Sequence, residues 1–142
     1  MQAEAVMEQT RLHRPDEDIA EDIAALIRSY DPLMQSRHWF TYDVRDGVVK
    51  LRGNINSAIA ERVLLDNVPR IPGVEEVDAE ELYNDEELRL RVGRVIPPGV
   101  LAHVDFGRVI LSGPLPNGHD PDALLKRIEE MPGVRKAINQ LW

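Results

Sequence analysis

The chain has 142 residues, no cysteine and a formal net charge of −8, with 43% hydrophobic and 30% charged residues. Such a length accommodates one ordinary domain or two small ones, in a composition typical of globular proteins, and it excludes disulfides, thiol chemistry and cysteine-based zinc sites. Residues 1–83 hold nine Lys and Arg against 17 Asp and Glu, whereas residues 84–142 hold eight of each, so the first part offers no basic footprint for nucleic acid.

Residues 1–15 are polar and read as a tail with neither a signal-peptide nor a membrane-anchor pattern. Asp16 is expected to cap a helix, with Glu17 and Asp18 in the first turn where the helix dipole favours acids. Ile19, Ile23, Leu26, Ile27 and Tyr30 form one apolar face, and Asp31-Pro32 ends it. Residues 33–38 read as a connector. Phe40, Tyr42 and Val44 then alternate with polar residues as a half-buried strand, Asp46-Gly47 turns, and Val49 and Leu51 point inward on the return strand, which Gly53 closes. Asn56 or Ser57 caps a second helix with Ile59, Val63, Leu64 and Val68 on its buried face. Pro72-Gly73 then leads into a strand through Val74, Val77 and Ala79.

No linker follows. Asn84, with Glu87 three residues on, begins a shorter helix through Leu88, Val92, Val95 and Ile96, which Pro97-Pro98-Gly99 stops. Val100, Ala102 and Val104 alternate with Leu101, His103 and Asp105. Phe106-Gly107 turns, and Val109 and Leu111 return. Asp120-Pro121 starts a helix burying Ala123, Leu124 and Ile128; after Pro132-Gly133 come Val134, Ala137 and Leu141.

The second half repeats the first at a spacing of 60 residues. Over the 31 positions from Gly47 to Val77, nine are identical: Gly47, Val49, Leu51, Gly53, Leu64, Leu65, Pro72, Gly73 and Val74. All are turn-forming or apolar, and none is charged, so the repeat encodes a fold and not a pair of catalytic sites. Gly47, Gly53, Gly73, Gly107, Gly113 and Gly133 are its structural glycines. The expected fold is α+β: two tandem αββαβ units, over 16–83 and 84–142, each a three-stranded mixed sheet with two helices on one face. The other sheet face carries Thr41, Asp43, Arg45, Lys50 and Arg52 in the first unit. In the second it carries Leu101, His103, Arg108, Ile110 and Ser112, partly apolar and so expected to pack on something.

The ordered set Asp16, Val44, Asp46, Gly47, Val49, Leu51, Gly53, Gly73 and Val74 resembles the BON domain. So does its second occurrence, Asp85, Val104, Gly107, Val109, Leu111, Gly113, Gly133 and Val134, with residues 134–141 resembling that family's end. The resemblance spans 16–142 and implies a non-enzymatic protein that binds phospholipid surfaces. It supplies no catalytic residue. The turn residue Phe106, where the first copy has Asp46, departs from the pattern, as does the absence of an export signal where many relatives have one.

Among candidate sites, Arg89, Arg91 and Arg94 form a short cationic run. With Arg135 and Lys136 they are candidates for a lipid or anion patch, against a solvated face paired with Asp85, Glu86 and Glu87. Trp39, beside Arg37 and His38, suits a membrane interface, or a cover for the sheet edge or for the seam between the units. With Leu101, His103 and Ile110 it is an interface candidate. The stretch from Asn117 to Asp122 offers His119 and two carboxylates, but a turn and a helix cap account for it, and His13, His38 and His103 share no ligand spacing with it. No catalytic motif is present. The sequence thus reads as a non-enzymatic tandem module in the cytoplasm, without cofactor, metal or transmembrane segment. Its expected partner is a phospholipid surface or envelope component; the alternative is a protein-interaction or stress-related scaffold without lipid binding.

Overall fold

The computed structural model describes residues 14–142; the tail expected over 1–15 falls, up to residue 13, outside the described residues. Helix α1 (Asp16–Ser29) buries Ile19, Ile23 and Ile27. Where a connector is expected, the chain forms a short helix α2 (Asp31–Ser36), with Pro32 in its first turn, where a missing N–H leaves no bond unmade. Leu33 and Ser36 are buried beneath it. Strands β1 (Phe40–Arg45) and β2 (Val48–Ile55) follow. Helix α3 (Ala58–Asn67), a 3-10 turn (Val68–Arg70) and strand β3 (Glu76–Asn84) complete the first unit.

The second unit consists of α4 (Asp85–Gly93), β4 (Leu101–Asp105), β5 (Arg108–Gly113), α5 (Pro121–Glu129) and β6 (Lys136–Leu141). In each sheet a central strand pairs antiparallel with its hairpin partner and parallel with the last strand, giving the orders β1-β2-β3 and β4-β5-β6. The architecture is therefore two tandem α+β units, each a three-stranded mixed sheet with its helices on one face. Each unit has its own core, one around Ile19, Ile23, Leu51 and Leu64, the other around Val92, Val109, Leu111 and Ile128.

Two helix faces differ from expectation. Ser57 caps α3, its Oγ accepting the Ala60 N–H at 3.1 Å. That phase turns Ala60, Leu64 and Val68 inward and leaves Ile59 67% exposed. In α5, Asp120 caps as expected, accepting the Asp122 N–H, but Leu124 and Ile128 carry the core and Ala123 faces solvent.

Asp16 does not cap α1. Pro15 holds the cap position, and the Asp16 carboxylate accepts the backbone N–H groups of Asp46 and Gly47, at 3.0 and 3.3 Å. Asp85 does the same in the second unit, accepting from Phe106 and Gly107 at 2.7 and 3.0 Å. The tie spans 30 residues in the first unit and 21 in the second, where the first helix is shorter and α2 has no counterpart. Both turns hold two successive residues at positive φ, Asp46 and Gly47 at 51° and 81°, Phe106 and Gly107 at 48° and 80°. This is the primed hairpin geometry, in which a residue with a Cβ costs about 1–2 kcal/mol.

Burial raises the Asp85 carboxyl above its usual range, against the lowering effect of its two backbone hydrogen bonds. A carboxyl raised on folding binds protons more readily in the native state, so its contribution to stability falls as pH rises from about 4 through the native value. Replacing Asp85 with Ala should destabilise by about 1–3 kcal/mol, the cost of orphaning two inward-facing N–H groups. In urea unfolding at stepped pH, the advantage of the wild type over Asp85→Asn should widen as pH falls toward 4. A constant or narrowing gap would contradict this account of the carboxyl.

Candidate functional site

Strands β2 and β3 each run farther than the sequence pattern indicates, past Gly53 to Ile55 and past Ala79 to Asn84. The added residues pair Gly53 with Leu82, Asn54 with Tyr83 and Ile55 with Asn84. They carry the first sheet directly to the second unit, since Asn84 both ends β3 and caps α4 by accepting the Glu87 N–H at 2.9 Å. The Asn84 amide also donates to Glu61 on α3 at 2.8 Å.

A seam of specific contacts forms there. Asn54 Nδ2 donates to the Gly133 carbonyl at 2.8 Å. Tyr83 lies so close to Gly133 that a Cβ there would come within 2.7 Å of its ring. A Cβ on Gly107 would come within 2.5 Å of Asn54 Nδ2. Trp39 and Phe106 stack with centroids 5.4 Å apart and ring planes at 18°. The Arg135 guanidinium sits 4.5 Å above the Trp39 ring and also donates to the Phe106 carbonyl at 3.2 Å. Arg91 lies 5.8 Å from the centre of the Tyr83 ring.

These contacts disperse the candidate cationic patch. Arg91 and Arg135 are held on aromatic rings at the seam, and Lys136 lies on the last strand beside Arg108, in the register row Asp105, Arg108, Lys136. Arg89 and Arg94 line one groove, of about 430 Å³, between α4 and β4, with Leu90, Ile96, Val100 and Leu101.

The outer sheet faces are unlike. In the first unit the rows are Thr41, Arg52, Glu81 and Asp43, Lys50, Asp78, with Arg45 bonded to Asp43 at 3.1 Å and Arg52 set 3.5 Å from Glu81. In the second they are Leu101, Ser112, Gln140 and His103, Ile110, Ile138. Leu101 is 68% exposed, and Ile110 and Ile138 are half-buried. Leu101, His103 and Ile110 therefore lie together, whereas Trp39 lies apart at the seam.

Sequence reasoning missed Asn54, Tyr83, Phe106 and the exposed Leu90. One signal was there for Phe106: a bulky residue at the turn position that holds Asp46 in the other copy. Asn54, by contrast, looks like any polar residue after a strand.

The buried polar groups serve the fold. Ser36 Oγ donates to the Pro32 carbonyl and accepts the Asn56 N–H; Asn54 joins the units, Asn84 caps α4 and Asp85 holds a turn. Asn56 Oδ1 is the one buried side-chain acceptor without a partner among the described residues. Also among them, no three His, Asp or Glu side chains converge on a metal position, and no helix is long and apolar enough to cross a membrane.

No protein-family model and no curated protein matches the chain. Among solved structures it is similar to the C-terminal domain of CdsD, a structural protein of the type III secretion system of Chlamydia trachomatis. The TM-score is 0.68 at 12% identity, covering 89% of this chain and 65% of that one. A second CdsD structure aligns over 87% of this chain and 91% of that one, at 13% identity and a TM-score of 0.35. The resemblance to the BON domain is thereby corrected. The glycines and apolar positions that carried it describe an αββαβ unit, and such a pattern belongs to a fold before it belongs to a family. The phospholipid-surface role and the cytoplasmic setting are corrected with it: the likeness found is to a structural protein of a secretion system, and at 12% identity it carries the fold alone.

The seam makes the two units one mechanical body. Calorimetry on the intact chain should show a single cooperative transition. Gly133→Val, placed at φ 90° and against Tyr83, should destabilise by roughly 1–3 kcal/mol and split the transition in two. Two transitions in the unaltered chain would contradict the coupling.

Proposed function

We propose that this chain is a non-catalytic protein-interaction module, a scaffold element of two coupled units over 16–83 and 84–142 that binds another protein through the outer sheet face of the second unit. The observation that carries the reading is the contrast between the two outer faces. One backbone design presents paired charges in the first unit and Leu101, Ile110 and Ile138 around His103 in the second. Paired charges suit contact with water, whereas an apolar strip with a polar rim suits a protein interface. The use of the buried polar groups as caps, turn holders and seam contacts supports a non-enzymatic role. The likeness in fold to a structural protein of a secretion assembly supports a role as a building part.

The test uses the whole chain as bait in lysate of its source cells, with Leu101→Asp/Ile110→Asp beside it. These side chains are not core residues, so the variant should keep the circular dichroism and melting of the wild type. A specific partner should be retained by the wild type and lost at least tenfold by the double variant. Equal capture by both would remove this face from the function.

A further inference from the structure

The groove between α4 and β4 carries features that the outer face does not explain. Strand β4 is an edge of its sheet, and an edge strand leaves one row of backbone N–H and C=O groups without a strand partner. The groove runs along that edge. Its upper part, about 430 Å³, is lined by Arg89, Leu90, Arg94, Ile96, Val100 and Leu101 and by no acid. A second hollow of about 600 Å³ continues it past His103 and Val104, shares Arg89 and Leu90, and is lined at its far end by Asn56, Asp85 and Glu86. Leu90 and Leu101 are 64% and 68% exposed on its two sides. Neither Arg89 nor Arg94 is in a salt bridge among the described residues.

The equivalent groove of the first unit, between α1 and β1, gives an internal control. It too holds two arginines, Arg28 and Arg37, but Arg28 is bonded to Glu21 and Arg37 to the Met34 carbonyl. The second unit's arginines are not taken up in this way, so the upper part of its groove, which Asp85 and Glu86 do not line, presents positive charge to whatever enters.

We infer that the α4–β4 groove binds an extended, acidic segment of a partner protein, which adds to the edge of β4 as a fourth strand. The inference rests on the interaction reading above and names a second contact for it. Arg89 on α4 and Arg94 at its C-cap are separated by about 7.5 Å along the helix axis and about 140° around it, and both reach the groove. Alternate residues of a strand are about 6.8 Å apart. A strand with acids at alternate positions can therefore set one near each arginine, while the intervening side chains project to the other face beside Leu101. Main-chain pairing supplies affinity and the arginines select the sequence, the usual division in strand addition.

The probe is a fluorescein-labelled hexapeptide of alternating glutamate and valine, titrated with the whole protein and followed by anisotropy. A lysine–valine hexapeptide and a glutamate–proline hexapeptide are the controls. The acidic peptide should bind, and its affinity should drop at least tenfold on Arg89→Glu/Arg94→Glu and in high salt. The lysine peptide should not bind. The proline peptide should bind at least tenfold more weakly, because it cannot donate to the edge. Amide exchange should slow in β4 and not in β1. No binding at millimolar protein, equal binding of the lysine or proline peptide, equal binding by the double variant, or protection at β1 instead would each overturn the inference. Leu101 lines the groove as well as the outer face, so capture with Ile110→Asp alone, at a position outside the groove, reports on the outer face separately, and loss of the groove and loss of the interaction reading remain distinguishable. Both arginines are exposed, and an unchanged melting curve for their variant would exclude unfolding as the cause of lost binding.

Discussion

Each unit depends on one carboxylate that reaches from the start of its first helix to the turn of its hairpin. A two-residue turn with both residues at positive φ leaves two neighbouring N–H groups aimed the same way. A carboxylate has two oxygens and can accept from both, as Asp16 and Asp85 do. Hydrogen bonds to a charged acceptor are about twice as strong as neutral ones, so a single side chain fixes the helix to the sheet across a long loop. The two ties differ in setting. Asp85 is buried and Asp16 is partly exposed, and at Asp85 desolvation works against the bonds that hold it.

The consequence in the second unit is the seam. The Asp85 tie holds Phe106 in a backbone conformation that disfavours its side chain, and in that conformation its ring stacks on Trp39. Arg135 closes the arrangement from above, on the ring of Trp39 and the carbonyl of Phe106. Local strain at one turn is thus offset by contacts from the other unit. With β3 running into α4 and Asn54 bonded to Gly133, the two sheets cannot reorient without breaking several unlike interactions together. The two outer faces are presented in a fixed relation, a useful property in an element that other proteins pack against.

The turns, most strands and helices and the division into repeats were legible because glycine, proline and alternating apolar residues report directly on local geometry. Asp16 was legible as important but not in its role. A helix-start acid reads as a cap, and only the folded hairpin 30 residues on reveals the competing pair of donors. Ile59 was misplaced because two adjacent phases of α3 look equally apolar, and the Ser57 cap decides between them. The helix α2 was hidden by Asp31-Pro32, which ends one helix and, as it happens, opens the next. The seam was least legible of all. Its members are ordinary residues in sequence, an asparagine, a tyrosine, a phenylalanine, and they become a site only through contacts between elements distant along the chain.

The arginines show why composition misleads about binding. Five basic residues concentrated in the second half invite a single electrostatic footprint, and at about 1 kcal/mol each near an anionic surface such a footprint would be decisive. Position divides them among different settings. Arg91 and Arg135 are turned onto aromatic faces, where the ring attracts the charge and the guanidinium plane stacks. Lys136 belongs to the outer row with Arg108 and Asp105, and Arg108 is bonded to Asp105 at 3.0 Å. What survives is a pair, Arg89 and Arg94, beside an apolar groove and an open strand edge. Two charges are too few to hold a surface by electrostatics alone. They are enough to choose among segments that the backbone edge and the apolar walls would otherwise accept without preference.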